Sequence, residues 1–156
     1  EILVITRYLE SLVDLVFIFA VALLINFALG AFPGIYIVYL PLILIVQSVF
    51  MLGLMFYLSY SSVTVRDIPQ LAAVIIQLMF FLTPIIYPAT SVPADLRWML
   101  FVNPLSGVIE AYRNVLIYNQ PPDFISLYYP LVAGGILLYT GYLFFKANEG
   151  NMADYI

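Results

Sequence analysis

Residues 15–65 read LVFIFAVALLINFALGAFPGIYIVYLPLILIVQSVFMLGLMFYLSYSSVTV, and no charged side chain occurs among them. The run is interrupted only near its middle, at Pro33 and Gly34. A soluble core can hold one helix that is apolar all round, but not two in succession joined by a tight turn. A lipid bilayer accommodates both helices. The stretch therefore predicts a membrane hairpin.

The composition of the whole chain agrees with a membrane environment. Of its 156 residues, 65% are hydrophobic and 9% are charged, whereas soluble domains have about 25% charged residues. Cysteine and histidine are both absent from the sequence, which excludes disulfides, thiolate or imidazole metal sites and histidine acid–base chemistry. We therefore expect an all-α integral membrane protein.

The apolar runs and the residues between them predict four transmembrane helices, each close to the length of about 20 residues that a bilayer requires. Asp67 is placed to cap the third helix, and Pro69 lies in its first turn. Pro84 should kink or end the same helix. The predicted spans are 12–32, 36–60, 68–87 and 127–145, followed by a cytoplasmic tail at 146–156.

The basic residues suggest which side of the membrane each loop occupies. Four crossings place both ends of the chain on one side. That side would carry Arg7, Arg66 and Lys146, and the opposite side would carry Arg97 and Arg113. Because cytoplasmic loops are enriched in lysine and arginine, both ends are predicted to be cytoplasmic.

The segment 88–120 is too apolar for an ordinary loop and too interrupted for a crossing. Ser91 is placed to cap a short helix, which Asn103 and Pro104 should end before a second one begins. The second helix, at about 15 residues and 22 Å, cannot span a bilayer. We therefore predict a re-entrant or interfacial hairpin at 91–118. Such a hairpin is tolerated at membrane depth only where it packs on protein or lines a cavity.

Several charged residues have two interpretations at this point. Glu110 and Arg113 form either a weak ion pair on a solvated helical face or part of a gate. Asp14 lies either at a wet helix end near the headgroups or in a proton relay within the membrane. Arg66 and Asp67 are explained by orientation and helix capping, or by contact with a cytoplasmic subunit.

The sequence also bears on energy coupling and on helix packing. It contains no G-x-x-x-x-G-K-[ST] motif and no nucleophile arrangement within the spans, so we expect neither an enzyme nor a bound cofactor. Uphill transport would need a partner protein or an ion gradient. Four glycines within the spans are predicted to be close-packing points of helices rather than hinges: Gly53, Gly134, Gly135 and Gly141.

Three blocks of sequence, in this order and spacing, resemble a known family. They are SVTVRDI at 62–68, FFLTPIIY at 80–87, and NPL at 103–105 followed by EAYR at 110–113. Together they are similar to the membrane-spanning permease subunit of type 2 ABC exporters for polysaccharides. This group exports O-antigen (of lipopolysaccharide), capsule and teichoic acid chains. The resemblance extends over nearly the whole chain.

The resemblance implies an architecture and a set of partners. Such permeases have six spans and pair as homodimers around a sugar channel, so the chain would be the C-terminal part of a six-span permease. ATP and Mg²⁺ would belong to a separate nucleotide-binding ATPase subunit. The other expected partners are a second copy of the chain, a lipid-linked glycan and membrane lipid, with no nucleic acid. The expected location is the bacterial cytoplasmic (inner) membrane.

The resemblance also implies roles for individual residues. The outer-side gate would be shaped by Trp98, Asn103, Pro104, Glu110 and Arg113. Arg66 and Asp67 would lie in the cytoplasmic loop near the ATPase. Possible channel aromatics are Tyr57, Tyr60, Phe81 and Tyr87, whose rings could stack on sugar faces.

Two rival functions are an ion-coupled transporter or channel in which Asp14 titrates, and an assembly subunit that only packs against other membrane proteins.

Overall fold

The structure is a computed structural model that describes residues 2–28, 30 and 34–152. Every regular element within these ranges is helical, which confirms the predicted all-α class for this part of the chain. Short 3₁₀ turns occupy Ile35–Tyr39, Ala89–Ser91 and Ala94–Leu96. The α-helices are α1 (Ile2–Ala28), α2 (Leu40–Thr64), α3 (Ile68–Leu82), α4 (Trp98–Val102), α5 (Pro104–Leu116) and α6 (Phe124–Met152).

Three helical stretches are long and apolar enough to cross a membrane, and α3 is apolar but shorter. At 15 residues, α3 is about 22 Å long, against about 30 Å for the hydrocarbon layer. Three of the four predicted crossings thus correspond to helices of sufficient length. The remaining one, the predicted third span at 68–87, stays a prediction. The three long stretches are Ile2–Ala28, Ile35–Ser62 and Phe124–Ala147.

The observed helices extend beyond most of the predicted spans. Helix α1 begins at Ile2, well before the predicted 12–32, whose last residues lie outside the described part. Helix α6 continues to Met152, through much of the predicted tail 146–156. Hydrophobicity marks only the part of a helix that lipid covers, whereas the backbone hydrogen bonds can continue into water.

Helix α3 ends earlier than the predicted span 68–87. Its last helical residue is Leu82, and Thr83 has an extended backbone (φ −86°, ψ 136°). Pro84 is the reason, because its ring disfavours a helical conformation of the preceding residue and it has no N–H to donate. The residues up to Tyr87 are therefore outside the helix.

Helices α2 and α6 run parallel and contact each other along their length. Near their N-terminal ends, the Tyr39 and Phe124 rings lie 5.7 Å apart. Towards their C-terminal ends, the Tyr57 and Phe144 rings lie 5.6 Å apart. The chain between the two helices must therefore return from the C-terminal end of α2 to its N-terminal end.

Glycines allow the backbones of α2 and α6 to touch. A Cβ on Gly53 would lie 2.6 Å from a backbone nitrogen of α6, and a Cβ on Gly134 would lie 2.8 Å from the Cα of Phe50. Gly141 faces the same contact. The close-packing prediction is confirmed for these three and is wrong for Gly135, whose Cβ position has no atom within 4 Å. Neighbouring helix positions point about 100° apart, so Gly135 faces away.

Helix α5 packs on the N-terminal part of this pair. The hydroxyl of Tyr112 donates a hydrogen bond to Gln47 Oε1 at 2.7 Å. Helix α5 thus already lies beside the start of α2. The chain must therefore return from the C-terminal end of α2 to its N-terminal end before α5 begins, and α3 covers this distance. The buried apolar residues that join α2, α5 and α6 are Ile43, Val46, Val108, Ala111, Val115 and Leu127.

Helix α1 lies antiparallel to α2, as a hairpin requires. Val4 packs with Phe56, towards the C-terminal end of α2, and the Tyr8 hydroxyl is hydrogen-bonded to Ser48, nearer its N-terminal end. All residues of α1 are described, and Val4 is the single buried one. Most of the apolar surface of α1 is therefore available to lipid or to other protein.

We expect the substitution Gly134→Ala to lower the free energy of unfolding by about 1–3 kcal/mol, because a methyl group there overpacks the contact between α2 and α6. The matched control is Gly135→Ala, one residue along the same helix, where the methyl group meets open space. It should leave stability unchanged or slightly raised, since alanine favours helix. Unfolding of the purified chain in detergent measures both, and equal effects would contradict the packing assignment.

Candidate functional site

The segment between α3 and α6 contains all five predicted gate residues. The hairpin predicted at 91–118 consists of two helices, α4 and α5, that meet at Asn103. Its first helix is shorter than predicted, because Ser91 belongs to a 3₁₀ turn and α4 begins only at Trp98. The depth of this hairpin in the membrane stays a prediction.

Asn103 is the buried joint of the hairpin. Its side-chain Oδ1 accepts a hydrogen bond from the Leu105 N–H at 3.0 Å, which caps α5, and Pro104 occupies the first turn. Its Nδ2 donates to Thr83 Oγ1 at 2.7 Å. Thr83, also buried, donates in turn to the Met79 carbonyl at 2.6 Å. The start of α5 is thereby bonded to the end of α3.

Arg113 makes a second connection to the same place. Its Nη2 lies 2.5 Å from the carbonyl oxygen of Pro84, 3.1 Å from that of Ile85 and 3.3 Å from that of Tyr87. Because Nη2 carries two hydrogens, the three carbonyls share two donors. Nη1 lies 3.3 Å from Glu110 Oε2. One guanidinium therefore binds three carbonyls of the non-helical stretch that follows α3.

The electrostatics of this arrangement are favourable. A cation close to the C-terminal end of α3 complements the negative end of the helix dipole, and its bonds to backbone oxygens are charge-assisted. The Arg113 side chain is 11% exposed and that of Glu110 is 33% exposed. The solvated-face interpretation of Arg113 is therefore wrong, because the side chain is enclosed by the groups it binds.

Trp98 lies apart from this polar joint. It begins α4, is 60% exposed, and is followed on the same surface by the exposed Phe101 and Val102. The short helix is held to α6 by the Tyr129 hydroxyl, which donates to the Val102 carbonyl at 3.1 Å. The structure thus brings together four of the predicted gate residues, Asn103, Pro104, Glu110 and Arg113. It leaves Trp98 apart from them, on the exposed face of α4.

The predicted cytoplasmic residues lie at the other end of α3. Arg66 and Asp67 form the exposed turn between α2 and α3. Asp67 occupies the N-cap position, but its side chain makes no capping hydrogen bond, so that part of the prediction is wrong. Its backbone is helical (φ −85°, ψ −10°), whereas a capping side chain needs an extended backbone. Asp14 lies on the exposed surface of α1.

The four predicted channel aromatics form two groups. The rings of Tyr57 and Tyr60 contact Phe144 at 5.6 Å and 4.9 Å, near the C-terminal ends of α2 and α6. Phe81 lies exposed near the end of α3, and the Tyr87 hydroxyl donates to the Phe81 carbonyl at 3.0 Å. The first group lies towards the end where α3 begins, and the second lies where α3 ends.

A cleft and the acidic side chains are the other features to which a ligand or a metal ion could bind. A cleft of about 310 Å³ lies between α1, α2 and α3, with Arg7 among its lining residues. Arg7 is paired with Glu10 at 2.9 Å and both are exposed, so its charge is compensated. Among the described residues, no group of three or more carboxylates is placed to hold a metal ion.

Sequence reasoning did not include Thr83 or the carbonyls of residues 84–87 in the site. Thr83 lies in the FFLTPIIY block that carries the resemblance, and within that block it stood out only as a polar residue in an apolar run. Its partner Asn103 lies 20 positions away, and a backbone carbonyl carries no side-chain signal at all. The break in the helix at Pro84 was the one available indication that unpaired carbonyls would need a donor.

Comparison with known proteins gives one family and several relatives. The family model described as ABC-2 type transporter matches residues 8–117. A Myxococcus xanthus protein named O-antigen export system permease protein RfbA is 26% identical over 136 residues, covering 86% of this chain and 52% of its own length. Two Klebsiella pneumoniae proteins of the same name are 29% identical over 118 and 116 residues, covering 74% of this chain and 44% of their own. The chain thus spans about half the length of the curated relatives it matches.

A double-mutant cycle should detect the bond between Thr83 and Asn103. The variants Thr83→Val, Asn103→Leu and their combination should show a coupling of about 0.5–1.5 kcal/mol in unfolding free energy. Thr140→Val is the matched control, because the Thr140 hydroxyl bonds within its own helix, to Ile136. Its effect should add to that of Asn103→Leu within about 0.5 kcal/mol. If the effects of Thr83→Val and Asn103→Leu on the unfolding free energy simply added in the double variant, the bond would be contradicted.

Proposed function

This chain belongs to the ABC-2 type transporter family, and from that membership we propose that it is the permease subunit of an ATP-driven exporter of lipid-linked polysaccharide. The match over residues 8–117, which includes the hairpin, is the observation that carries the proposal. The polysaccharide is supported by the relatives named for O-antigen export. Two copies would form a channel across the bacterial cytoplasmic membrane.

The proposed topology has four crossings, with both ends cytoplasmic and the hairpin inserted from the outer side. The parallel course of α2 and α6 supports it, because one crossing by α3 then suffices between them. Helix α5, with 13 residues, is about 20 Å long and is too short to cross. The residues from Thr83 to Tyr87 would complete the third crossing without helical hydrogen bonds.

Non-helical backbone at membrane depth requires partners inside the protein, because lipid supplies none. Arg113 and the Tyr87 hydroxyl supply such partners here, to carbonyls near the end of α3. The satisfied carbonyls therefore support a hairpin that lies within the membrane rather than in the solvent outside it. The four crossings would be the last four of a six-span permease.

In the proposed mechanism, a separate ATPase subunit binds ATP with Mg²⁺ and acts on the exposed turn at Arg66 and Asp67. The two permease copies then shift, and the channel opens past the hairpin. The hairpin forms the outer-side gate and is held in place by Asn103, Pro104, Glu110 and Arg113. The ring of Trp98 is available to stack on the sugars of the passing polymer. Ring stacking suits a polymer, because it tolerates variation in the sugar sequence. The aromatic candidates for this stacking are Tyr57, Tyr60, Phe81 and Tyr87.

We favour this function over an ion-coupled transporter. That alternative rests on Asp14, which lies on the exposed surface of α1 in this chain, whereas the family match extends over residues 8–117. Export that depends on a proton gradient and persists without any ATPase partner would reverse this preference.

Thiol labelling of the complete chain in cells tests the topology. A membrane-impermeant reagent added outside should modify a cysteine at Trp98 or Tyr118, both exposed in the hairpin region. A cysteine that replaces Arg66 should react only after the membrane is permeabilised. Modification of the Trp98→Cys variant by a reagent confined to the cytosol would contradict the outer position of the hairpin.

Replacement of Trp98 tests the gate. The substitution Trp98→Ala in the complete chain, expressed with its ATPase, should reduce glycan export several-fold and leave the helical content unchanged, because the side chain is largely exposed. Tyr139→Ala removes a similarly exposed aromatic ring from α6 and should leave export unchanged. Surface glycan measured per permease molecule gives the comparison, and full export by Trp98→Ala would count against the gate.

A further inference from the structure

Helix α3 is held in an unusual way. None of its 15 residues is buried within the chain, although nearly all of them are apolar. It is joined to α2 by the short turn at residues 65–67. Its sides contribute little packing, so its position within the chain depends on how its two ends are fixed.

The end of α3 that follows Leu82 is fixed by polar bonds. Asn103 donates to Thr83, and Arg113 donates to three carbonyls beyond it. In a lipid environment, apolar contacts between helices are readily exchanged for contacts with lipid chains, but a hydrogen-bond donor cannot be exchanged in this way. These bonds are therefore the attachment at this end of α3 that lipid does not replace.

The partner that carries Asn103 and Arg113 is itself firmly placed. Helix α5 shares a buried apolar cluster with α2 and α6. A Cβ on Gly107 would lie 2.3 Å from the Ser126 carbonyl oxygen, so the backbones of α5 and α6 also touch. Helices α2, α5 and α6 thus form one packed body, to which the end of α3 is bonded.

We propose that Arg113, together with Asn103, is a pin that holds the outer end of α3 on this body. The pin is a property of the fold. What the pin does during transport rests on the proposed function. There, the outer end of α3 is held in place while the opposite end, at Arg66 and Asp67, receives the force from the ATPase. Removal of the pin should therefore free the outer end of α3 and leave its inner end unaffected.

Distances between paired spin labels test the pin. The complete chain, freed of other cysteines and reconstituted in lipid nanodiscs, carries nitroxides at one of two pairs. The outer pair is Phe81 with Ile125, and the inner pair is Leu71 with Tyr139, all four exposed. Labelled copies are diluted with unlabelled ones, so that each distance is measured within one chain. Neither ATP nor glycan is needed, so this result is independent of the proposed export activity.

In the Arg113→Gln variant, the outer-pair distance distribution should become about twofold wider, while the inner pair keeps its width. Arg97→Gln is the matched control, since Arg97 donates to one carbonyl of its own loop, that of Val92 at 3.2 Å. It should change neither pair. An unchanged outer pair in Arg113→Gln, or equal widening of both pairs, would overturn the proposal.

A second variant serves if Arg113→Gln does not fold. Thr83→Val removes one bond of the pin and leaves no unpaired charge, so it should widen the outer pair by a smaller factor and leave the inner pair as it is. An unchanged outer pair in this variant would then overturn the proposal in the same way.

Discussion

The constraint on which the structure depends is that lipid offers no hydrogen-bond partner to a peptide group. Pro84 ends α3, and the carbonyls of residues 84, 85 and 87 then have no helical partner. Arg113 binds all three. In the proposed topology this one contact allows an irregular stretch to exist at membrane depth, and it also determines where α5 must lie.

The rest of the body is assembled by close contact rather than by exclusion of water. Between helices in lipid there is little hydrophobic driving force, so dense packing of small residues takes its place. Gly53 and Gly134 allow α2 and α6 to touch along their backbones, and Gly107 does the same for α5 on α6. The contrast with α3, which has no buried residue, separates a packed body from a helix that is held mainly at its ends.

Local signals in the sequence predicted most of the fold. The uncharged run at 15–65 predicted the hairpin of α1 and α2, and Asn103 with Pro104 predicted the break between two short helices. These features depend on neighbouring residues alone. The helix ends were less predictable, because α1 and α6 continue past their apolar runs into regions where water also tolerates a helix.

The contacts of the candidate site could not be predicted, since they join positions far apart in sequence. The i,i+3 spacing of Glu110 and Arg113 did indicate their ion pair. It could not indicate the carbonyls on the far side of the guanidinium, which belong to backbone 26 to 29 positions earlier. Gly135 was misassigned for a related reason, because the face of a helix that meets a partner is settled by the partner.

The chemistry of position 113 suits arginine rather than lysine. A guanidinium stays charged at any physiological pH and presents donors in a rigid plane, so one edge can bind carbonyls while another faces a carboxylate. Arg113 uses both, with Nη2 on the end of α3 and Nη1 on Glu110. Lysine would bring the same charge on a flexible stem, without the planar fork that holds two separate groups in a fixed relation. The pair with Glu110 also limits the cost of placing a cation where water is scarce, because the partly exposed carboxylate balances its charge.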